Sequence, residues 1–138
     1  MINCSIGTVG VKQIHSFLLE NDEAFNPPFS ANVDLESYAS KLYENAVLYE
    51  AWEDEHLIGI LAAYRNASGR RLYVPYICVN KKGVGKCLFD FFLMDNKEYQ
   101  CVELEVRSSN STAIRFYTRL GFVSIGENHH KQLLRLDL

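Results

Sequence analysis

The chain has 138 residues, a length for one domain (residues 1–138) with a core of its own. Hydrophobic residues make up 48% and charged residues 22%, with a formal net charge of -3; long disordered stretches are excluded, and the lack of a basic stripe speaks against a nucleic-acid partner. No apolar run approaches the ~18 residues of a membrane span, and the opening MINCSIGTVG has neither the charged nor the apolar region of a secretory signal, so no membrane association and a cytoplasmic location are expected.

Residues 2–9 alternate and predict a first strand. Val11, Ile14, Phe17 and Leu18 follow helical spacing up to about Leu19. Residues 21–34, with two prolines and three asparagines, predict a long loop. Asp34 is a good N-cap for a second helix, whose stripe is Leu35, Tyr38, Ala39, Leu42 and Tyr43. Val47–Glu53 and Leu57–Asn66 read as a hairpin turning at Asp54-Glu55-His56. Arg71–Val79 is a further strand, in which Pro75 demands a bulge or an edge. Gly83 to about Lys97 predicts a helix that is apolar nearly all round. Then follow a strand at Cys101–Val106, a helix at Asn110–Leu120 stopped by Gly121, and strands at Phe122–Gly126 and Leu133–Leu136. The order β-α-α-β-β-β-α-β-α-β-β is that of an α/β domain: a mixed, mainly antiparallel sheet with helices on both faces.

Cys4, Cys78, Cys87 and Cys101 are scattered, without the short spacings of a zinc site. They read as reduced, mostly buried small hydrophobes, and no metal is expected. The pair His129-His130 reads as a turn between the last two strands.

The loop Asn80-Lys81-Lys82-Gly83-Val84-Gly85-Lys86 joins a strand to a helix start. Glycines let backbone approach an anion, and the free N–H groups of a helix start hold phosphate. A Walker loop would need glycine at Asn80 and a hydroxyl residue at Cys87, and a dinucleotide fingerprint would need a small residue at Leu88. Neither fits, and a tight turn remains an equal reading of the two glycines.

Residues 103–122 read ELEVRSSNSTAIRFYTRLGF. A strand ending in LEVR, an asparagine opening a helix, an aromatic-tyrosine pair and LGF, with the G-x-G loop upstream, together resemble the GNAT superfamily of acetyltransferases. The resemblance is close from about Val79 to Phe122, and the order of elements fits the family fold over the whole chain. It implies an N-acetyltransferase that moves an acetyl group from acetyl-coenzyme A directly to a primary amine. By the same resemblance, backbone N–H groups of Lys82, Gly83, Val84, Gly85 and Lys86 would bind the coenzyme pyrophosphate. Ile77, Cys78 and Val79 would pair with the pantetheine arm, and Asn110 would contact the coenzyme. Tyr117 matches the tyrosine that protonates the departing thiolate, and Glu105 the glutamate that acts as general base. Asn110, Ala113 and Tyr117 stand at i, i+3 and i+7, which puts them on one helix face, with Arg115 and Arg119 on the other. Glu103, on the same strand face as Glu105, competes for the role of base; a water relay is the third possibility.

Two positions depart from the family pattern. Asn80 stands where arginine or glutamine is usual, and Val79 runs directly into it, which shortens the loop. Both bear on coenzyme affinity rather than on fold, and leave a non-catalytic coenzyme A-binding or regulatory module as the alternative. In the family fold the acceptor enters beside the loop at 21–34. There Phe25 and Phe29, with Tyr76, would line the entrance or else cap the core, and Glu23 and Asp34 would attract a cation. The acceptor is expected to be a small-molecule or peptide amine. LEVR and the tyrosine lean toward a peptide, while the PPF loop resembles members of amino-sugar metabolism. Homodimers are common in the family, but no residue here requires one.

Overall fold

The computed structural model describes residues 1–25 and 27–138; Asn26, part of the predicted loop, lies outside them. The elements are β1 (Ile2–Ile6), α1 (Val11–Glu20), α2 (Leu35–Asn45), β2 (Val47–Glu53), β3 (His56–Asn66), β4 (Arg71–Val79), α3 (Val84–Met94), β5 (Cys101–Arg107), α4 (Ser111–Leu120), β6 (Val123–Asn128) and β7 (Lys131–Asp137). The predicted order is the observed one. The seven strands form a single mixed sheet in the order β1-β2-β3-β4-β5-β7-β6. Every neighbouring pair is antiparallel except β4 and β5.

Helices cover both faces. Ile14, Phe17 and Leu18 of α1 and Leu35, Ala39 and Leu42 of α2 pack on Leu48, Ile60, Ala62, Tyr76 and Cys78. On the other face, Leu88, Phe89 and Phe92 of α3 and Tyr117 of α4 pack on Leu61, Leu72, Val102 and Leu104. Local signals place the helix ends: the Asp34 carboxylate accepts the Ser37 N–H at 3.2 Å, and Gly121, at φ 107, closes α4.

Several boundaries differ from expectation. β1 stops at Ile6 because Gly7 turns the chain at φ 64. The loop at 21–34 holds two short 3-10 turns, Asp22–Ala24 and Phe29–Ala31, the first tied to the second by the Ser30 N–H on Asp22. The β2–β3 turn is tighter than predicted, with Asp54 at positive φ and His56 already in β3. α3 ends at Met94, not Lys97. Asn96 then turns inward, donating to the Phe92 carbonyl and the Tyr49 hydroxyl, both at 2.8 Å. Met94, at the end of a helix expected to be apolar nearly all round, is 68% exposed. β6 and β7 are both longer than predicted, and His129 and His130 make the turn between them with positive φ. Of the cysteines, Cys78 and Cys101 are buried, Cys4 is half-buried and Cys87 is exposed. Among the described residues, no helix is long and apolar enough to cross a membrane.

The bulge expected at Pro75 is present. Ala62 pairs with Tyr76 and Tyr64 with Tyr73, so Val74 and Pro75 together face Ala63. On its other side β4 pairs with β5 only from Arg71 to Tyr73, the last step being Tyr73 with Glu103. Beyond that step the two strands part. A proline has no N–H for the ladder and a bulge increases local twist, so the sheet opens where both occur.

Candidate active site

The opening between β4 and β5 is the centre of the site. From Val74 to Val79, β4 has no partner strand on its β5 side among the described residues, so it presents backbone donors and acceptors to the gap. Ile77 and Val79 are half-buried along this edge and Cys78 is buried. Burial pushes the Cys78 thiol above its ordinary pKa, although the nearby Tyr76 hydroxyl opposes the shift.

On the α3–α4 side, Tyr117 lies in the core cluster against which Ile77 and Val79 pack. Its ring is held by Phe89, Phe116 and Phe122, with centroids 5.3 to 6.1 Å away. The residue is 8% exposed, and its hydroxyl bonds to no protein atom among the described residues. Burial first, and the Cys78 thiol next, raise the phenol far above its ordinary pKa. It therefore holds its proton at any physiological pH.

α3 starts at the mouth of the gap. Gly83 is its N-cap, at φ 88, and no side chain caps the first turn. The Asn80 N–H is anchored on the Ile58 carbonyl at 2.9 Å and the Val84 N–H on the Lys81 carbonyl at 3.3 Å. Lys82 and Gly83 keep exposed N–H groups without a protein acceptor among the described residues. Val84 and Gly85 are buried. Lys81 pairs with Glu53 and Lys86 with Asp90, which leaves Lys82, among the described residues, as the loop lysine with no carboxylate partner. Asn110 caps α4, its Oδ1 accepting the Ala113 N–H at 3.1 Å; its side-chain nitrogen makes no hydrogen bond among the described residues, and the residue is exposed.

The opposite face of the fork holds the carboxylates. Glu105 is exposed and accepts the Tyr73 hydroxyl at 3.1 Å. Glu103 is bound by Arg135, whose Nε donates at 2.8 Å and whose terminal nitrogen also reaches it. The two carboxylates that compete for the role of base thus have different partners. Tyr73, absent from the motif reading, is raised to about 12, by burial first and the Glu105 carboxylate next. Its position beside Glu105 depends on β4–β5 register, which no local pattern encodes.

Phe25 and Phe29 stack edge-on at 5.2 Å, both lie 5.6 Å from the Tyr76 ring, and Phe29 lies 5.1 Å from Tyr38. Together they cover Tyr76, which is 2% exposed and whose hydroxyl has no hydrogen-bond partner among the described residues. Phe25 and Phe29 therefore cap the second core at the rim of the fork. Asp34 is occupied as a helix cap, and Glu23 is exposed.

The sequence profile of the acetyltransferase (GNAT) domain matches residues 12–136. The chain belongs to the GNAT acetyltransferase family. No curated protein is a significant sequence match. Among solved structures, this GNAT domain is similar to the ribosomal-protein-S18-alanine N-acetyltransferase of Escherichia coli, with 18% identity and a TM-score of 0.78 over 99% of this chain and 94% of that one. It is also similar to the PaiA N-acetyltransferase of Thermoplasma acidophilum in complex with coenzyme A, with 16% identity and a TM-score of 0.73 over 99% of both chains. A Bacillus subtilis acetyltransferase in complex with coenzyme A is 19% identical, with a TM-score of 0.73 over 100% of this chain and 99% of that one. Identities this low speak to fold.

Proposed function

We propose that this GNAT domain, acting as one unit over residues 1–138, transfers an acetyl group from acetyl-coenzyme A to a primary amine without a covalent enzyme intermediate. The observation that carries the reading is the fork itself, with Tyr117 in the core on one face of the sheet and Glu105 exposed on the other. The residues present suit a coenzyme A. The unpaired edge of Ile77, Cys78 and Val79 can pair with the amides of the pantetheine arm. The uncapped N–H groups at Lys82, Gly83 and the α3 start, with the Lys82 ammonium, can hold the pyrophosphate. Gly85 and Val84 support that turn from beneath, Lys86 flanks it, and the free amide of Asn110 with the small Ala113 leaves room along α4.

The thioester supplies the carbonyl carbon. Glu105 takes a proton from the acceptor ammonium, which is mostly charged at neutral pH. The freed amine forms the new C–N bond as the C–S bond breaks. Tyr117 donates its proton to the leaving sulfur, and the second proton lost by the amine nitrogen restores the phenol through solvent. Glu103 is the weaker candidate for base because Arg135 occupies it. The similarity to an enzyme that acetylates a protein's alanine supports a peptide α-amine as one acceptor class. A cytoplasmic setting would supply the coenzyme.

A second reading, a coenzyme A-binding module without turnover, draws on Asn80 at the departed position and on the pairing of Lys81 and Lys86 with carboxylates. Thermal shifts with coenzyme A and acetyl-coenzyme A, followed by free-thiol release over peptides, polyamines and amino sugars, separate the two. Thiol release that depends on an amine and on Tyr117 supports transfer; a shift without release for any amine supports the module. No shift with either coenzyme sinks both.

A further inference from the structure

Three phenols meet at the fork on the face covered by α1 and α2. Tyr64 and Tyr73 are direct neighbours across the β3–β4 register, and Tyr73 stands beside Glu103 across the β4–β5 register. Tyr38 reaches down from α2, where its hydroxyl donates to the Pro75 carbonyl at 3.3 Å, two residues past Tyr73. All three are half-buried, and Tyr38 is shifted upward by burial, then by Tyr64 and Tyr73. The Tyr73 hydroxyl donates to Glu105, and the Tyr64 hydroxyl has no protein partner among the described residues.

The hydrogen of Tyr38 is committed to Pro75 and that of Tyr73 to Glu105. Their oxygens therefore turn lone pairs, not donors, toward the space between them. On this face Arg135 is held by Glu103, Arg71 stands at the outer end of the β4–β5 pairing and Arg107 at the end of β5. The result is a half-buried surface of acceptors, phenol rings and one carboxylate, Glu105, with no cationic partner among the described residues. An ammonium group has three donors and no acceptor, and aromatic faces attract cations. Beyond Tyr38 the surface continues as the rings of Phe29 and Phe25, which offer an amine's stem apolar contact and give a phosphate nothing to bind.

We infer that Tyr38, Tyr64, Tyr73 and Glu105 form a cradle for a protonated primary amine on an uncharged apolar stem, and that this is the acceptor end of the site. The inference rests on the acetyl-transfer reading above for its placement, but its test does not depend on turnover.

Free coenzyme A blocks chemistry, so phenethylamine binding is measured by calorimetry on the coenzyme A-loaded protein. Tyr64→Phe and Tyr73→Phe keep the rings and remove only the oxygens. Each should weaken phenethylamine at least about fivefold, as expected for hydrogen bonds to a charged group, while coenzyme A affinity is unchanged. Glu105→Gln should weaken it further. With acetyl-coenzyme A, the amine KM should rise in the same variants, and glucosamine phosphate should be at least about tenfold poorer in kcat/KM than phenethylamine. No phenethylamine binding, wild-type binding in both Phe variants, or a preference for glucosamine phosphate overturns the cradle. Binding that follows the hydroxyls without any acetylation keeps the cradle and removes the transfer reading. Acetylation indifferent to both hydroxyls does the reverse.

Discussion

The ring of Phe116 occupies the space that a side chain at Gly85 would need: a Cβ there would meet the ring edge at 3.0 Å. Gly85 lies in the first turn of α3 and Phe116 in the middle of α4, so this contact sets the distance between the two helices at the mouth of the fork. The two loop glycines thus act differently. Gly83 has open space around it but a φ of +88, whereas Gly85 has ordinary backbone and no room.

Gly85→Ala must push Phe116 aside and should cost about 1–3 kcal/mol, the range for overpacking. Gly83→Ala should cost about 1–2 kcal/mol through its left-handed backbone alone. Coenzyme affinity should fall in both, since both disturb the α3 start. Denaturant midpoints at constant m, with thermal shifts by coenzyme A, check this. A Gly85→Ala protein with wild-type stability would mean that the helices separate freely.

Tyr117→Phe removes a hydroxyl that bonds to no protein atom among the described residues and keeps a ring packed by three aromatic neighbours. Stability should therefore move by no more than about 0.5 kcal/mol. If the phenol protonates the leaving thiolate, kcat should drop about 10²–10³-fold with little change in the KM for acetyl-coenzyme A. An undiminished kcat would assign Tyr117 to packing alone.

Glu105→Gln and Glu103→Gln should diverge. Glu105 has one neutral partner, the Tyr73 hydroxyl, so its loss should lower kcat/KM by about 10²-fold at neutral pH and less at high pH, where the amine arrives deprotonated. Glu103 is tied to Arg135 by two nitrogens on a mostly buried carboxylate, so its loss should cost about 1 kcal/mol of stability while leaving the pH profile in place. Equal pH–rate effects of the two substitutions would reject Glu105 as the base.

Much of this was legible in the sequence because it is local. Asp34 and Gly121 mark helix ends by short-range chemistry, and Pro75 announces a bulge by its missing N–H. The spacing of Asn110, Ala113 and Tyr117 follows from helical geometry. What could not be read depends on pairing between distant segments. The parting of β4 from β5 one step past Tyr73 and Glu103 is a property of register, as is the preference of Arg135 for Glu103 over Glu105. The inward turn of Asn96, which ends α3 early, needs the Tyr49 hydroxyl from β2 as its partner. Phe25 and Phe29 illustrate the same limit: their apolar character was plain, but their role as a cover over Tyr76 required α2 and β4 to meet.

The raised tyrosines make stability sensitive to alkali. Burial lifts Tyr73 and Tyr49 to about 12, with hydrogen bonds to Glu105 and Asp95 adding to the shift; Tyr38, Tyr76 and Tyr117 are raised further. A group whose folded pKa lies above its unfolded value binds its proton more tightly in the native state. Its contribution is fully present below the unfolded pKa of about 10 and is lost as pH rises through the folded one. Stability should therefore not vary with these phenols at neutral pH and should fall steeply from about pH 10 toward pH 12. Cys4, lifted to about 11 by burial and by the neighbouring Cys87, begins its loss from a lower pH. Denaturant midpoints across this range, followed together with tyrosinate absorbance, should show the buried phenols ionising with unfolding rather than ahead of it. Tyr73→Phe should flatten the slope between pH 10 and 12 by the share of one phenol. Ionisation of all eight tyrosines near the free-phenol pKa, in a chain that stays folded, would contradict the burial described for this site.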